Sequence, residues 1–376
     1  MPLEADGEQT HLFNAFEITP MPMTQAQFNA GANRQLEVYA EGSPIDQVNK
    51  ERPFLQWLIS NKKVAPGGNQ YFNEKVRISN DSNYQNYYGD DQVTYNRRDT
   101  VRLAKFPWAN FHDGFGLNED ELAANGITLV DDNDTGSVVS DAEKIQIYNL
   151  MTENFEVLKL GVQEKFDEEM HLNGAQSSKA AQGLDFLVST TPAVGVVGGI
   201  DGATALYWRN NVNLNIPTVS PGVLILNMDV TWRACLTYGK LTPNKIFVGA
   251  AFYDAYKKDV NLTNARIIQI NKTAGKPGMP SIEGSTEDLY YKNVLVEWDP
   301  TFETLDTLYG PFTVPWTKRC YFLNSTTIKL RPLTGHWMVN RKPSRMYDRY
   351  VHYWGTTSKY RLTINKRNAN AVLSIA

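Results

Sequence analysis

Ser140–Gly174, SDAEKIQIYNLMTENFEVLKLGVQEKFDEEMHLNG, is the stretch on which the reading of the fold turns. Ser140 and Glu143 have the spacing of a capping box, in which each side chain satisfies a backbone N–H that the first turn leaves without a partner. Asn173-Gly174 is suited to the left-handed conformation that ends helices. Between these ends Tyr148, Met151, Phe155, Leu158, Val162, Phe166 and Met170 fall three or four residues apart on one face. From Met151 to Met170 the steps are 4, 3, 4, 4 and 4 residues. A coiled-coil seam averages about 3.5, so this stripe drifts around the helix instead of tracking one partner. At about 1.5 Å per residue the helix is roughly 50 Å long. Gly161, in its middle, costs about 1 kcal/mol relative to Ala and is expected to permit bending or the close approach of another chain. Taken alone, the stretch predicts a long core helix and no function.

Outward from it, composition narrows the field. The chain has 376 residues, enough for two or three domains and a sizeable core. Its formal charge of -4 gives no general attraction to nucleic acid or to an anionic membrane. Cys235 and Cys320 are its only cysteines, too few for a disulfide framework, which favours a reducing compartment. MPLEADGEQTHLFNAF (1–16) has neither a basic nor an apolar signal region, and no run of about 18 apolar residues occurs, so neither a signal peptide nor a membrane span is expected. The 19 Tyr and 8 Trp require large semi-buried surfaces, either interfaces or a β-rich core.

Residues 1–50 are polar and weakly patterned, with at most a helical turn or two in Thr24–Ala40. They read as an extended arm that gains order only against something else. Pro53–Ile59 reads as a short amphipathic helix anchoring that arm. Residues 67–110 change character. In NQYFNEKVRIS, Tyr71, Asn73, Lys75 and Arg77 alternate with Phe72, Glu74, Val76 and Ile78; a polar tip (Asn80–Asp91) and QVTYNRRDTVRLAKFPW follow. This is a long hairpin without a clean apolar face. A two-stranded hairpin is marginal in water, so one this polar is expected either to reach across to a neighbouring molecule or to lie solvated over its own domain. Replacing Gln70–Lys105 with a short turn is accordingly expected to spare the monomer. Lys75, Arg77, Tyr87, Arg97, Arg98 and Arg102 are its candidate inter-subunit contacts.

A turn-rich connector (113–139) with one short helix at Glu119–Ala124 leads into the long helix. Beyond it, Gly183–Asn210 reads as a strand followed by a Gly-rich turn region. Ser220-Pro221 reads as a helix start, with Leu224, Met228, Trp232 and Cys235 on one face and Gly239 at the stop. Strand KIFVG (245–249), helix AAFYDAYKKD (250–259), strand RIIQI (266–270) and a loop at Asn271–Asp288 follow. LYYKNVLVEW, KRCYFLN, TTIKLRP and most of the chain after Gly335 read as strands. The pattern is α+β, with antiparallel strands after a mixed α/β unit.

The search for chemistry finds no complete motif. GVVGGIDG (195–202) lacks both the Gly-Lys-Ser/Thr of a P-loop and the spacing of a dinucleotide turn. Asp131–Gly136 begins like a calcium loop, but Ala142 stands where a bidentate Glu is required, so a plain polar turn is expected there. Glu168-Glu169-Met170-His171 holds one Glu-x-x-His without the second copy a di-iron bundle needs. His171 is therefore expected to be a solvated cation at the helix C-terminus. Cys235 reads as inert core, and Cys320, beside Arg319, as a weak candidate for a reactive thiol. No catalytic, cofactor or metal residue is assigned.

The order of parts, with three local stretches, resembles the major capsid proteins of tailed bacteriophages with the Hong Kong 97-type fold. GLDFLVSTTPAVGVVGGIDGATALYWRN (183–210) is similar to a Gly-Leu-x-x-Leu-Val … Gly-Gly-Ile-Asp … Trp-Arg-Asn stretch of many such proteins. PNKIFVGAAFYDAY (243–256) is similar to their strand-then-helix element, and VLVEWDP with YFLNSTTIKLRP to their final strands. NKRNANAVLSIA resembles their Asn-Arg-rich end. Where many relatives have Arg after Gly-Gly-Ile-Asp, this chain has Gly202, so no role of that Arg is carried over.

The resemblance implies five regions: an arm with its anchoring helix (1–66), an extended hairpin loop (67–110) and a peripheral domain (111–209) whose spine is the helix at 140–174. A mainly axial domain (210–330) follows, then C-terminal strands (331–376) returning to the peripheral domain. Met151, Phe155, Leu158, Val162, Phe166 and Met170 would pack the spine. It implies a non-enzymatic shell protein, without cofactor, that self-assembles into hexamers and pentamers around double-stranded DNA held by weak contacts. Portal, scaffold or decoration proteins would be further partners, with no membrane involved. The place would be the virion, assembled in host cytoplasm. An encapsulin-type compartment and a soluble enzyme with an unrecognised site are the competing readings.

Overall fold

The computed structural model describes residues 49–67, 69–80, 82–118, 141–238, 241–263, 289–343 and 351–376. The side chains of 141–151 and 261–263 are not among them. The expected arm, the helix at Glu119–Ala124, the calcium-like turn, Ser140 of the capping box, Gly239, strand RIIQI and the loop at Asn271–Asp288 all lie outside the described residues.

In chain order α1 (Pro53–Ser60) is followed by β1 (Tyr71–Arg77), β2 (Val101–Pro107) and β3 (Ala109–Asn118). The long helix α2 (Asp141–His171) comes next, then a single turn α3 (Leu184–Leu187), the miniature hairpin β4 (Val196–Val197) and β5 (Ile200–Asp201), and β6 (Asn211–Ile216). Helix α4 (Val223–Leu236), β7 (Lys245–Val248), α5 (Ala250–Thr263), β8 (Leu289–Tyr291), β9 (Val294–Trp298) and α6 (Thr301–Tyr309) follow. The chain ends with β10 (Arg319–Leu323), β11 (Ile328–Pro332), β12 (Val339–Arg341), β13 (Val351–Ile364) and β14 (Ala371–Ile375).

The six-stranded sheet runs β6-β14-β10-β7-β9-β8. Its middle strands β14, β10 and β7 are mostly apolar because both faces are covered. Ile246, Val248, Cys320, Phe322, Ala371 and Leu373 face one core, against Leu224, Met228 and Trp232 of α4 and Phe252 of α5. The alternate residues Phe247, Tyr321, Leu323 and Val372 face a second core that includes Phe54, Phe302 and Trp316. The second sheet is built on β13, whose first ten residues pair with β3, whose last five pair with β11, and whose middle pairs with β12. Across it lies α2: Phe166 meets Phe111 at 5.7 Å, Tyr360 at 4.9 Å and Trp337 at 5.8 Å.

Several local expectations are corrected. Gly183–Asn210 opens with the helical turn α3 in place of a strand. LYYKNVLVEW is a hairpin, not one strand: Lys292 and Asn293 both take positive φ (48° and 64°), the left-handed pair that joins strands tightly. The helix expected to begin at Ser220-Pro221 begins at Val223, because Asp259 of α5 supplies the cap by accepting from the N–H groups of Gly222 and Ile225. Helix α6 carried no sequence expectation. Of the C-terminal strands, β13 joins the sheet that packs on α2, but β14 inserts between β6 and β10 of the other sheet. Its five residues are all buried, which an edge position would not allow.

The exit from α2 is tight. Gly174 takes φ +86°, as the helix stop requires. At Gly183 a Cβ would fall 2.3 Å from the Met170 carbonyl oxygen, so only glycine lets the returning chain pack on the helix end. At Gly161, by contrast, a Cβ would meet only Asp113, at 3.9 Å. Nothing in the packing of the described residues demands glycine there.

Candidate assembly interface

The hairpin divides into a base that packs on its own chain and a tip that stands exposed. Strands β1 and β2 pair antiparallel from Tyr71↔Pro107 to Arg77↔Val101. Residues opposite one another share a face, so Phe72, Glu74, Val76, Ala104 and Phe106 lie on one side and Tyr71, Asn73, Lys75, Arg77, Leu103 and Lys105 on the other. Val76, Ala104 and Phe106 are buried in the main core. Polar contacts fasten the same face. The Arg331 guanidinium donates to Glu74 at 2.9 Å and covers the Phe72 ring at 4.8 Å, while the Lys105 N–H donates to the Gly198 carbonyl at 2.8 Å. The base of the hairpin thus belongs to its own chain. Cutting from Gln70 to Lys105 would remove core side chains, which corrects the expectation that such a cut spares the monomer.

Past Ile78 and Thr100 the regular ladder ends. The two arms are held by side chains instead: Asn83 and Gln85 both bond Thr94, and Asp91 accepts from the Tyr88 N–H at 2.9 Å. Gly89 takes φ +53° at the turn. Here Tyr84, Tyr87, Tyr88 and Tyr95 stand 84%, 70%, 88% and 92% exposed. Tyrosine rings this exposed are amphipathic contact area left uncovered among the described residues.

All six candidate contact residues are exposed. Lys75 and Arg77 lie on the outer face opposite Leu103 and Val101, Arg97 and Arg98 on the returning arm, and Tyr87 at the tip. The Arg102 guanidinium is 3.2 Å from the Asp99 carboxylate. The six form no single cluster. Sequence reasoning missed Tyr84, Tyr88 and Tyr95, although a tyrosine-rich stretch lacking alternation was a usable signal. Of the spine residues, Leu158, Val162, Phe166 and Met170 are buried, and Phe155 is half exposed with its ring edge-on to Phe115 at 5.3 Å. Met151 lies outside the described side chains. A further exposed apolar strip runs along α4 at Leu226 and Val230, four residues apart.

Two expectations about chemistry are overturned. Burial holds the Cys320 thiol well above its ordinary range, and Arg319 turns to the opposite face, where it pairs with Asp185 at 2.8 Å. The thiol is inert. Burial likewise pushes Cys235 up to about 12. His171 is not solvated but fully buried, because the end of α2 is packed under Phe54, Phe302 and Trp316. Asp167, His171 and Asp299 are the one group of three potential metal-binding side chains gathered among the described residues. The ring, however, spends Nδ1 on the Asp167 carbonyl oxygen (2.8 Å) and Nε2 on Asp299 (3.2 Å), which leaves no lone pair for a cation. At Gly202 a Cβ would lie 2.4 Å from the Pro192 carbonyl oxygen. This backbone has no room for a side chain at 202, and Arg209 donates to the Gly202 and Ala203 carbonyls.

No family model matches the chain, and no curated protein matches it. Solved structures do. The capsid asymmetric unit of cyanophage A-1(L) is similar with a TM-score of 0.58 at 13% identity, over 89% of this chain and 95% of that one. The capsid of Myoviridae phage XM1 is similar with a TM-score of 0.50 at 11% identity, over 91% and 98%. Among the described residues no helix is long and apolar enough to cross a membrane. Long helix, two sheets and outstanding hairpin together, matched nearly end to end, give this chain the Hong Kong 97-type fold.

Proposed function

We propose that this chain is a major capsid protein, the repeating subunit of a closed protein shell. The observation that carries the reading is the hairpin: its base is welded into the core while the four tyrosines of its tip stand exposed. The shared fold with two phage capsids supports it. In the shell, copies associate as hexamers and pentamers, each tip lying across the adjacent copy. Lys75, Arg77, Tyr87, Arg97, Arg98 and Arg102, with Tyr84, Tyr88 and Tyr95, are the contact residues. The hairpin is the extended loop, α2 is the spine of a peripheral domain built on β13, and the six-stranded sheet with α4 and α5 is the axial domain. Many moderate contacts of this kind become collectively tight through multivalency.

The role is structural and not enzymatic. The enclosed cargo is double-stranded DNA, held weakly by a wall of formal charge -4. Scaffold, portal or decoration proteins are further partners, assembly takes place in host cytoplasm, and the product is the virion. Sedimentation of the full chain against a variant with Ser79–Asp99 replaced by a short turn tests this. The full chain is expected to yield fast-sedimenting particles, the variant only capsomers or monomers of unchanged stability. Shells at normal yield from the variant would refute the role of the tip. DNA-free particles carrying enzyme cargo would favour the compartment reading instead.

A further inference from the structure

We propose that His171 is a proton-controlled latch: while protonated it ties the C-terminal end of α2 to the corner between β9 and α6, and loss of that proton releases the tie. The inference concerns the single chain and does not depend on shell formation. The ring lies between two carboxylates that are far apart in sequence. Its Nδ1 donates to the Asp167 carbonyl oxygen at 2.8 Å and lies 3.6 Å from Asp167 Oδ1, while Nε2 donates to Asp299 Oδ2 at 3.2 Å. A ring that donates at both nitrogens is an imidazolium. A neutral ring keeps one N–H and must give up one of the two bonds.

The tie reaches three elements. The Thr301 hydroxyl of α6 donates to Asp167 Oδ2 at 2.6 Å, its N–H donates to Asp299 Oδ1 at 3.0 Å, and the Asp299 N–H donates to the Val248 carbonyl of β7 at 3.1 Å. Asp167 Oδ1 is buried and makes no hydrogen bond; the nearby imidazolium is the main charge that offsets it, with Arg52 a lesser one.

The charges around this cluster are otherwise committed. On α2 itself Lys165 pairs with Glu168, which also accepts from the Tyr309 hydroxyl of α6. Arg52, just before α1, lies 3.7 Å from Glu164 and also exerts a weaker pull on Asp167. Asp306 of α6 accepts from the N–H groups of Trp316 and Thr317. Arg319 lies over the Trp316 ring at 4.3 Å and pairs with Asp185. Phe54 closes the remaining side of the ring at 4.4 Å.

Burial alone would push the His171 pKa down; Asp167 and Asp299 outweigh it and bring it to about 9 from 6.5. A histidine raised in the folded state contributes its stabilisation fully below pH 6.5 and loses it as the pH climbs through 9. Burial pushes Asp167 up to about 6 against the pull of His171, which likewise favours proton binding by the folded state. The latch therefore opens in the alkaline direction.

Hydrogen-exchange mass spectrometry of the full chain at pH 7 and pH 9.5, scaled for the intrinsic base catalysis, tests this. Peptides covering 165–172 and 298–305 are expected to exchange about tenfold faster or more at pH 9.5, and peptides of β11 and β13 no faster. His171→Gln should show the fast rate at both pH values. Equal scaled rates in the wild-type chain, or a retained pH dependence in the variant, would overturn the proposal. If the variant does not fold, proton spectra of histidine-labelled wild-type chain decide. One of the five histidines must hold its proton past pH 8, and all five titrating below 7.5 would refute the latch.

Discussion

Tyr321 in β10 and Tyr88 at the hairpin tip are the same residue in opposite circumstances: one is fully buried, the other 88% exposed. Tyr321 sits in a strand covered on both faces, its ring against Trp316 and Phe302 and its hydroxyl 3.0 Å from the Arg319 guanidinium. Tyr88 sits in a segment held by a few side-chain bonds, one glycine turn and a single backbone bond from the Asp91 N–H to the Tyr88 carbonyl. The six-stranded sheet completes its burial within one chain. The hairpin completes it only at the base. In a protein proposed to act by meeting copies of itself, the first region is where folding free energy is spent and the second is where it is withheld for association.

Substitutions that treat the two regions alike should break this contrast, and the largest effect belongs to the sheet. Phe322→Ala removes a ring packed on Trp232 and Tyr291 and should cost about 3–5 kcal/mol, read as a shift of the denaturant midpoint. Gly183→Ala should cost about 1–3 kcal/mol, because the new Cβ meets the backbone of the α2 exit and not a movable side chain. At the hairpin base, Glu74→Ala leaves the buried Arg331 without its carboxylate. A loss of about 2 kcal/mol is expected, with faster proteolysis confined to the hairpin. The smallest change in stability belongs to the tip. Tyr87→Ser with Tyr88→Ser should alter unfolding by no more than about 0.5 kcal/mol, yet slow particle formation in light scattering. A tip variant that destabilised the monomer as much as Phe322→Ala would erase the distinction.

How much of this was legible in the sequence follows the same division. The three-to-four-residue spacing of apolar residues along α2 and the Leu224, Met228, Trp232, Cys235 face of α4 could be read directly, because amphipathic spacing records burial against one side. The hairpin strands were legible from alternation, and their register then followed from a single pairing. What could not be read depends on partners distant in sequence. The cap of α4 comes from Asp259, the position of β14 from its two neighbouring strands, and the burial of His171 from Phe54, Phe302 and Trp316. A Glu-x-x-His at a helix end carries no local mark separating a solvated cation from a buried one. The exposure of the tip tyrosines was hidden for the complementary reason: composition counts aromatic rings without saying which of them the chain can cover.

The central claim, that the chain builds a closed shell from copies of itself, is tested most directly by negative-stain electron microscopy of the purified full-length chain over a range of salt and concentration. The account predicts closed, uniformly sized particles with capsomer-sized intermediates. A monodisperse small oligomer under every condition, with no particles, would contradict it.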